Sequence, residues 1–464
     1  MSDSYDFDVA IIGSGPGGYV AAIRAAQLKL KTVIVEKDKL GGVCLNIGCI
    51  PSKALIHQAE IFRSISTLEA MGIKVDSSQF DYSRVYAASR KAAESLSKGV
   101  GYLLKKNGVT VVNGTAELQS PHQLLVDGQK NISASSVIIA TGSSPRVIPG
   151  FEFDEKIVLS STGALSLEKL PKKLLIMGGG AIGVEFAHIM NVFGVEVHLV
   201  EMMERILPLE DEEVSNLLRR SFLKRGIKIY TSTKVASLNK TANGAEVFLE
   251  SSVAEKSSLT VDQVLVVVGR VPNTDAIGLE RLGINTERGF INVGEYGETS
   301  VSGVYAIGDV TKTPLLAHVA SKEGEIAVEH IAGLKTIAKL DRAAIPSGVY
   351  CEPQVASFGL TEVKAKQAGI NYKAASFPYK GVGKAVAVEN SEGFLKILFD
   401  PASKEILGVH IIGTEATELI HEVLLAKTAE LIPEDLADMI HAHPTLSEGV
   451  MEACRAALGR AIHV

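Results

Sequence analysis

The sequence predicts an α/β protein: two similar parallel-sheet units followed by a C-terminal α+β domain. Three observations carry that expectation. Twice, a short apolar run stops at three glycines spaced Gly-x-Gly-x-x-Gly. Both times a helix-length segment and a second apolar run follow, and that run ends in glutamate. From about Pro346 the pattern changes to strand, turn and strand, then helix. With 464 residues, two to four domains fit the chain, each large enough for its own core.

In the first unit, Asp8 to Ile12 reads as a buried strand and Gly13, Gly15 and Gly18 as the turn. Tyr19 to Leu28 then reads as helix, and Thr32 to Val35 as a strand reaching Glu36. This is a Rossmann-like dinucleotide-binding pattern. The first glycine makes the tight turn, the second lets backbone approach a pyrophosphate, and the third packs helix on strand. Free N–H groups at the helix start attract the anion. The glutamate is suited to a ribose hydroxyl.

Just after Glu36 comes a stretch from Gly41 to Lys53 that holds two of the four cysteines, Cys44 and Cys49. A regular helix would separate residues five apart by roughly 8–9 Å, from its rise and radius. A disulfide spans about 7 Å at most between Cα atoms. If the two bond, the segment must bend, and Gly48 supplies the freedom to do so. Two buried, unpaired thiols are the alternative, since free cysteine packs as a small hydrophobe. Pro51 suits the first turn of a helix that continues through Ser52 and Lys53.

Residues 55–105 carry helical patterning, and Val109 to Val112 and Gln123 to Val126 read as strands. Ser136 to Ala140 is a strand running into Thr141 and Gly142. Pro145, Pro149 and Gly150 mark the link to the second unit. There Lys173 to Met177 is the strand, Gly178, Gly180 and Gly183 the turn, and Val184 to Phe193 the helix. Val195 to Val200 leads to Glu201, 23 positions after the first glycine, the same spacing as Gly13 to Glu36. The unit closes with the strand Gln263 to Val268 and Gly269, which is counted with the second nucleotide site. Two dinucleotides are therefore expected. The cysteines beside the first unit call for a flavin there, because flavin exchanges electrons with dithiols; nicotinamide then belongs to the second. Met202, Met203 and Glu204 follow Glu201 before any arginine, which favours NAD over NADP.

Further on, Thr299 to Ile307 leads to Gly308 and Asp309, and that aspartate faces a ligand or caps the next helix. The domain reading is residues 1–149 for the first unit, 150–274 for the second, 275–345 for a return to the first, and 346–464 for the last domain. The last has strands at Gly393 to Phe399 and Ile406 to Ile412 and helices at 416–431 and 446–458. A dimer interface is its expected use. Near the end, His443 and Glu448 flank Pro444 and Thr445. Either Glu448 orients His443 as a general base, or Thr445 and Glu448 form a helix capping box.

Composition narrows the partners. A net charge of −6 without basic blocks argues against nucleic acid, and no run of about 20 apolar residues suggests a membrane span. The acidic start, Asp3 and Asp6, is unlike a signal peptide, so a cytoplasmic protein is expected, with a processed mitochondrial form the alternative. In a reducing compartment a disulfide is more often catalytic than structural.

Taken together, the stretch from Gly41 to Lys53 and the tail from His443 to Glu448 resemble the pyridine nucleotide–disulfide oxidoreductases over essentially the whole chain. Within that family the resemblance is to members that oxidise dihydrolipoamide, the E3 components of 2-oxoacid dehydrogenase or glycine cleavage complexes. It implies a redox-active Cys44–Cys49 disulfide, FAD in the first site, NAD in the second, and a homodimer. His443 and Glu448 would act as the base, reaching the other subunit's cysteines. Thr141, Gly142 and Asp309 match flavin-contacting segments, and Lys53 and Glu185 are expected as an ion pair beside the flavin ring. Lipoyl domains and a complex core are the implied partners.

Overall fold

The structure is a computed structural model that describes residues 5–253, 255–337 and 340–463. Its first unit opens with β1 (Phe7–Ile12), α1 (Pro16–Gln27) and β2 (Thr32–Glu36). β1 lies parallel to β2 with Ala10 opposite Val33. Val9, Ala10 and Ile11 are fully buried, because helices cover both faces of a parallel sheet. Burying each large aliphatic side chain is worth about 1.5–3 kcal/mol. α2 (Gly42–Ile47) comes next, and the stretch read as helical, residues 55–105, falls within α3 (Cys49–Ala70), α4 (Tyr82–Lys106) and the link between them. α4 starts where the Asp81 carboxylate accepts the Ser83 N–H.

β3 (Thr110–Asn113) joins β2 in parallel. β4 (Ala116–Ser120), β5 (Gln123–Val126) and β6 (Lys130–Ile139) form an antiparallel meander. The far half of β6 turns parallel to β1, with Ile138 opposite Ile11. The chain then leaves along β7 (Ser143–Pro145).

In the second unit β8 (Val158–Leu159) precedes α5 (Ser161–Leu165), β9 (Lys173–Met177), α6 (Ala181–Val192) and β10 (Glu196–Val200). α7 (Glu212–Lys224) leads to β11 (Lys228–Tyr230). An antiparallel meander follows, β12 (Thr233–Thr241), β13 (Gly244–Ser251) and β14 (Ser257–Val261), before β15 (Gln263–Val266). The parallel sheet runs β11-β10-β9-β15-β8. β16 (Arg270–Pro272) carries the chain back antiparallel to β7, so the two crossings are zipped together.

The return holds α8 (Leu279–Leu282), a hairpin of β17 (Thr286–Glu287) and β18 (Phe290–Ile291), and β19 (Val304–Ala306). β19 lies parallel to β6 and so extends the first sheet. α9 (Ala317–Ile331) packs on α1, where Arg24 and Glu329 pair at 2.7 Å. Last comes a five-stranded antiparallel sheet, in the order β20 (Ser347–Val349), β21 (Gln354–Gly359), β24 (Ile406–Gly413), β23 (Phe394–Phe399), β22 (Lys373–Pro378). Helices α10 (Glu362–Gln367), α11 (Gly383–Ala387), α12 (Ala416–Thr428), α13 (Pro433–Asp438) and α14 (Glu448–Ala457) complete it. α12 stops short of the expected Leu431, and just beyond its end Glu430 adopts φ +57°, which no right-handed helix accommodates.

One apolar core runs through all three parts. Leu55 and Ile56 of α3, Val184 and Phe186 of α6, and Val349 and Val355 of the last sheet belong to it. That junction fixes the side chains described next. Among the described residues, no helix is long and apolar enough to cross a membrane, and no group of three or more His, Cys, Asp or Glu could hold a metal.

Candidate active site

α2 ends at Ile47 and α3 begins at Cys49, with Gly48 between them at φ −150°, ψ −117°. A side chain at Gly48 would lie 2.9 Å from the Val43 carbonyl oxygen and 3.2 Å from Cys44 Cα. The break therefore needs glycine, and it brings Cys44 and Cys49 into contact as free thiols. Cys44 is half-buried and Cys49 faces outward. The hydrogen bond from Cys44 pulls the Cys49 thiol down to about 7; burial opposes this and the Lys53 cation assists it. The same hydrogen bond, reinforced by burial, pushes Cys44 far up. Of the reduced pair, Cys49 is thus the thiolate and Cys44 the donor to it.

One turn along α3, Lys53 Nζ lies 3.0 Å from each carboxylate oxygen of Glu185 on α6. The ammonium also sits 4.2 Å from the centroid of the Tyr350 ring, and the Tyr350 N–H donates to Glu185 Oε1 at 3.0 Å. Three parts of the chain meet at this ion pair. Glu185, expected from the sequence to pair with Lys53, is engaged with it here.

The two glycine turns have the same construction. Gly13 and Gly178 take φ +100° and +114°. A Cβ on Gly18 or Gly183 would fall 1.9 Å from the carbonyl oxygen of Gly13 or Gly178. Gly15 and Gly180 precede their helices with no side-chain cap, and nothing lies within 4 Å of the Cβ position of either. Each turn therefore keeps uncapped N–H groups and room beside them, which fits a pyrophosphate. Glu36 accepts from Ser14 N–H at 2.8 Å and Ser14 Oγ at 2.7 Å. Glu201 accepts from Gly179 N–H at 2.7 Å and Met203 N–H at 2.8 Å. Arg205, the first cation after Glu201, is tied to Glu212 at 3.0 Å.

Thr141, Gly142 and Gly269 lie where the chain crosses between units. The Thr141 hydroxyl donates to the Asn273 carbonyl at 2.6 Å, and the Asn273 N–H donates to Gly142 O at 2.9 Å. Gly269, at φ +118°, accepts the Arg146 N–H. Asp309 accepts from Ser143 Oγ at 2.5 Å, while Arg270 donates to Ser143 Oγ and O, each at 2.6 Å.

His443 and Glu448 form a separate group on the last domain. His443 Nδ1 is 2.9 Å from Glu448 Oε1, and the Thr445 N–H donates to Glu448 Oε2 at 2.9 Å. The two sequence readings thus share the carboxylate, one oxygen each. The capping box is only half made: the N-cap is Ser447, and the Thr445 hydroxyl donates to Ala442 O instead. Burial would raise the Glu448 carboxyl, but the Thr445 amide and His443 hold it below the usual range. The His443 side chain is 77% exposed, and among the described residues no hydrogen bond or ion pair joins it to the cysteine turn.

Sequence reasoning missed Tyr350, Ser143, Arg270, Asn273 and Arg90, which brace this region. Asn273 follows the read strand and glycine, but nothing local marks it as a partner of Thr141. Arg90, on α4, reaches Asn46 O across 44 positions.

Comparison with known proteins adds independent findings. The model of the pyridine nucleotide–disulphide oxidoreductase family matches residues 7–324, and that of its dimerisation domain matches residues 345–454. A dihydrolipoyl dehydrogenase of Rhizobium etli is 42% identical, covering 100% of both chains. One from Chlorobaculum tepidum is 46% identical over 97% of each. Among solved structures, LpdA of Mycobacterium tuberculosis has a TM-score of 0.90 at 27% identity, covering 97% of this chain and 99% of its own.

Proposed function

The chain belongs to the pyridine nucleotide–disulphide oxidoreductase family, and on that premise we propose that it is an E3-type dehydrogenase. It oxidises dihydrolipoamide to lipoamide and reduces NAD to NADH, acting on lipoyl domains of a 2-oxoacid dehydrogenase or glycine cleavage complex. FAD and NAD are the cofactors of this family; the first turn, over which Gly41 and Gly42 of the cysteine stretch fold back, suits FAD, and the second, beside which Met202 and Met203 are exposed, suits NAD. The observation that carries the reading is the meeting of Cys44 and Cys49 at the Gly48 break, above the first turn and beside Lys53 and Glu185.

In the reaction so assigned, His443 takes a proton from one substrate thiol, and Glu448 holds the ring through Nδ1 so that Nε2 is the basic atom. The resulting thiolate attacks Cys44 Sγ, and the Cys44–Cys49 bond breaks with its electron pair on Cys49. The second substrate thiol then displaces Cys44 and gives it its proton, which leaves lipoamide, Cys44 as a thiol, Cys49 as a thiolate and the first proton on His443. Lys53 and the thiol of Cys44 hold the charge on Cys49. FAD, when bound, supplies the passage of the electron pair from dithiol to NAD. Because His443 is exposed on the domain that matches the family's dimerisation model, it serves the cysteine turn of a second subunit, in a homodimer.

The test is purified holoenzyme with NAD and either dihydrolipoamide or reduced glutathione. Rapid NADH formation with dihydrolipoamide alone is expected. Equal rates with the two thiols, or none with either, would overturn the assignment.

A further inference from the structure

The tail that carries His443 holds a second histidine with no role in the chemistry above. His441 lies in the segment between α13 and α14, two positions before His443. Both its ring nitrogens are engaged: Nδ1 donates to the Met439 carbonyl at 3.1 Å, and Nε2 to Glu422 Oε1 at 2.8 Å. A carbonyl oxygen can only accept, so Nδ1 carries a proton whatever the state of Glu422. The ring is thus committed at both ends, and it is buried, with 2% of its side chain exposed. His443 is also held at Nδ1, by Glu448, but its ring stands in the open. One ring is fixed on both sides, and the other is fixed on one side only.

The two glutamates set what these contacts fix. Glu422 stands on α12 and Glu448 opens α14. The helices share one core, in which Ile420 and Val423 of α12 are buried with Val450 and Ala453 of α14. Each histidine is therefore tied to the same packed body through a different helix. Little else holds the segment from the α12 side. Within the subunit Met439 is exposed and Ile440 is 95% exposed, so apolar burial does not pin it. Its other hydrogen bonds stay local: Met439 N–H donates to Asp435 O, Thr445 Oγ to Ala442 O, and Thr445 N–H to Glu448. Among the described residues, the His441–Glu422 contact is the one hydrogen bond that carries residues 439–447 back to an element before α13. Hydrogen bonds to a carboxylate are of the stronger kind.

We propose that His441 is a positioning residue for the base: tied to Glu422 on α12, it fixes where the tail segment places His443. The inference rests on the reading of His443 as the base for dithiol oxidation. His441 acts through His443 alone and, with both nitrogens committed, moves no proton. Its loss lets the segment drift while Glu448 still holds the His443 ring. The base then keeps its partner but loses its position.

The experiment measures kcat/KM for dihydrolipoamide in the FAD-bound protein, with dye reduction by NADH as the control. His441→Ala is expected to lower kcat/KM about 30-fold, since misplacing a reacting group by about 1 Å costs up to about 10²-fold. Dye reduction, flavin content and oligomeric state should not change. Glu422→Ala should match it. Glu422→Gln is the conservative variant: its amide can donate to Nε2 while Nδ1 still donates to Met439 O, so it should stay within about threefold. Added to His443→Gln, His441→Ala should cost less than about twofold more, because no base is left to place. A fully additive loss in that pair, or His441→Ala within about threefold of the unaltered protein, would overturn the role. So would equal losses in Glu422→Gln and Glu422→Ala. If His441→Ala loses its flavin, Glu422→Ala takes its place in each comparison. If His443→Gln itself leaves dihydrolipoamide oxidation intact, the base reading falls, and this inference with it.

Discussion

The two glycine turns share a backbone and differ in what covers them. In both, the third glycine sits where a Cβ would strike the first glycine's carbonyl, and in both a glutamate 23 positions on binds the N–H of the residue after the first glycine. After Glu36, however, the chain comes straight back. Gly41 N–H donates to Ser14 O at 3.1 Å, and a Cβ on Gly42 would lie 2.8 Å from Gly15 Cα. α9 closes the other side, where Gly17 meets the Ala320 carbonyl. After Glu201 the chain runs outward through Met202 and Met203, exposed by 66% and 56%, and returns only where Leu207 N–H donates to Gly179 O at 2.8 Å. Ile182, in the first turn of α6, is exposed as well. The same phosphate device is thus roofed in one place and open in the other. A roofed turn holds what stays and presses the cysteines against it; an open one admits what must exchange in every cycle.

The sharpest way to break this comparison is to damage both turns alike. Gly13→Ala places a Cβ 2.4 Å from the Ala140 carbonyl oxygen, and Gly178→Ala places one 2.6 Å from that of Val267, each at a positive φ. On the proposed assignment, Gly13→Ala loses the flavin and all activity. Gly178→Ala keeps the flavin but loses at least about 100-fold in NAD-dependent kcat/KM, a barrier change of about 2.7 kcal/mol. The ratio of flavin to protein absorbance distinguishes them; equal flavin loss would show that the units are not independent. Next in size is His443→Gln, expected to slow dihydrolipoamide oxidation by about 10²–10⁴-fold. Reduction of a dye by NADH, which bypasses the dithiol, should hold within twofold.

A smaller effect concerns the sulfur carried by the stretch that roofs the first turn. With its thiol pulled down to about 7, Cys49 gains its negative charge as pH rises through neutrality, whereas an ordinary thiol does so near 8.5. The alkylation rate of the reduced protein should be half-maximal near pH 7. Lys53→Met removes the cation that lowers it, so the midpoint should move upward. A midpoint that stays put would leave Cys44 alone as the cause.

How much of this was legible follows from the range of each interaction. Both turns could be read because backbone geometry forces glycine at fixed spacing, whatever packs around them. The break at Gly48 was legible as a condition, since two cysteines five apart cannot bond within a regular helix. The meander β12 to β14 was not read, because much of its surface is exposed and polar and gives no sustained apolar run. The Ser143, Arg270 and Asp309 network joins residues 127 and 166 positions apart, and no local pattern records such contacts. At the tail, sequence offered two partners for the Glu448 carboxylate, and only coordinates could show one oxygen serving each.

The mildest test concerns the open turn. Glu201→Ala leaves the N–H groups of Gly179 and Met203 without their acceptor, but Met203 is exposed and water can replace the carboxylate there. The loss should therefore be moderate: about tenfold in KM for NAD, or about 1.4 kcal/mol, with flavin content unchanged. Discrimination against NADP should weaken too, since the repelling charge is gone. It should not reverse, because Arg205 remains paired with Glu212 at 3.0 Å and is not free to meet a 2′-phosphate. Adding Glu212→Gln to Glu201→Ala releases that guanidinium, and NADP turnover should rise further in the double variant than in either single one. If the double variant behaves as the sum of the singles, Arg205 does not reach the ligand, and the openness of this turn extends past the side chains that line it.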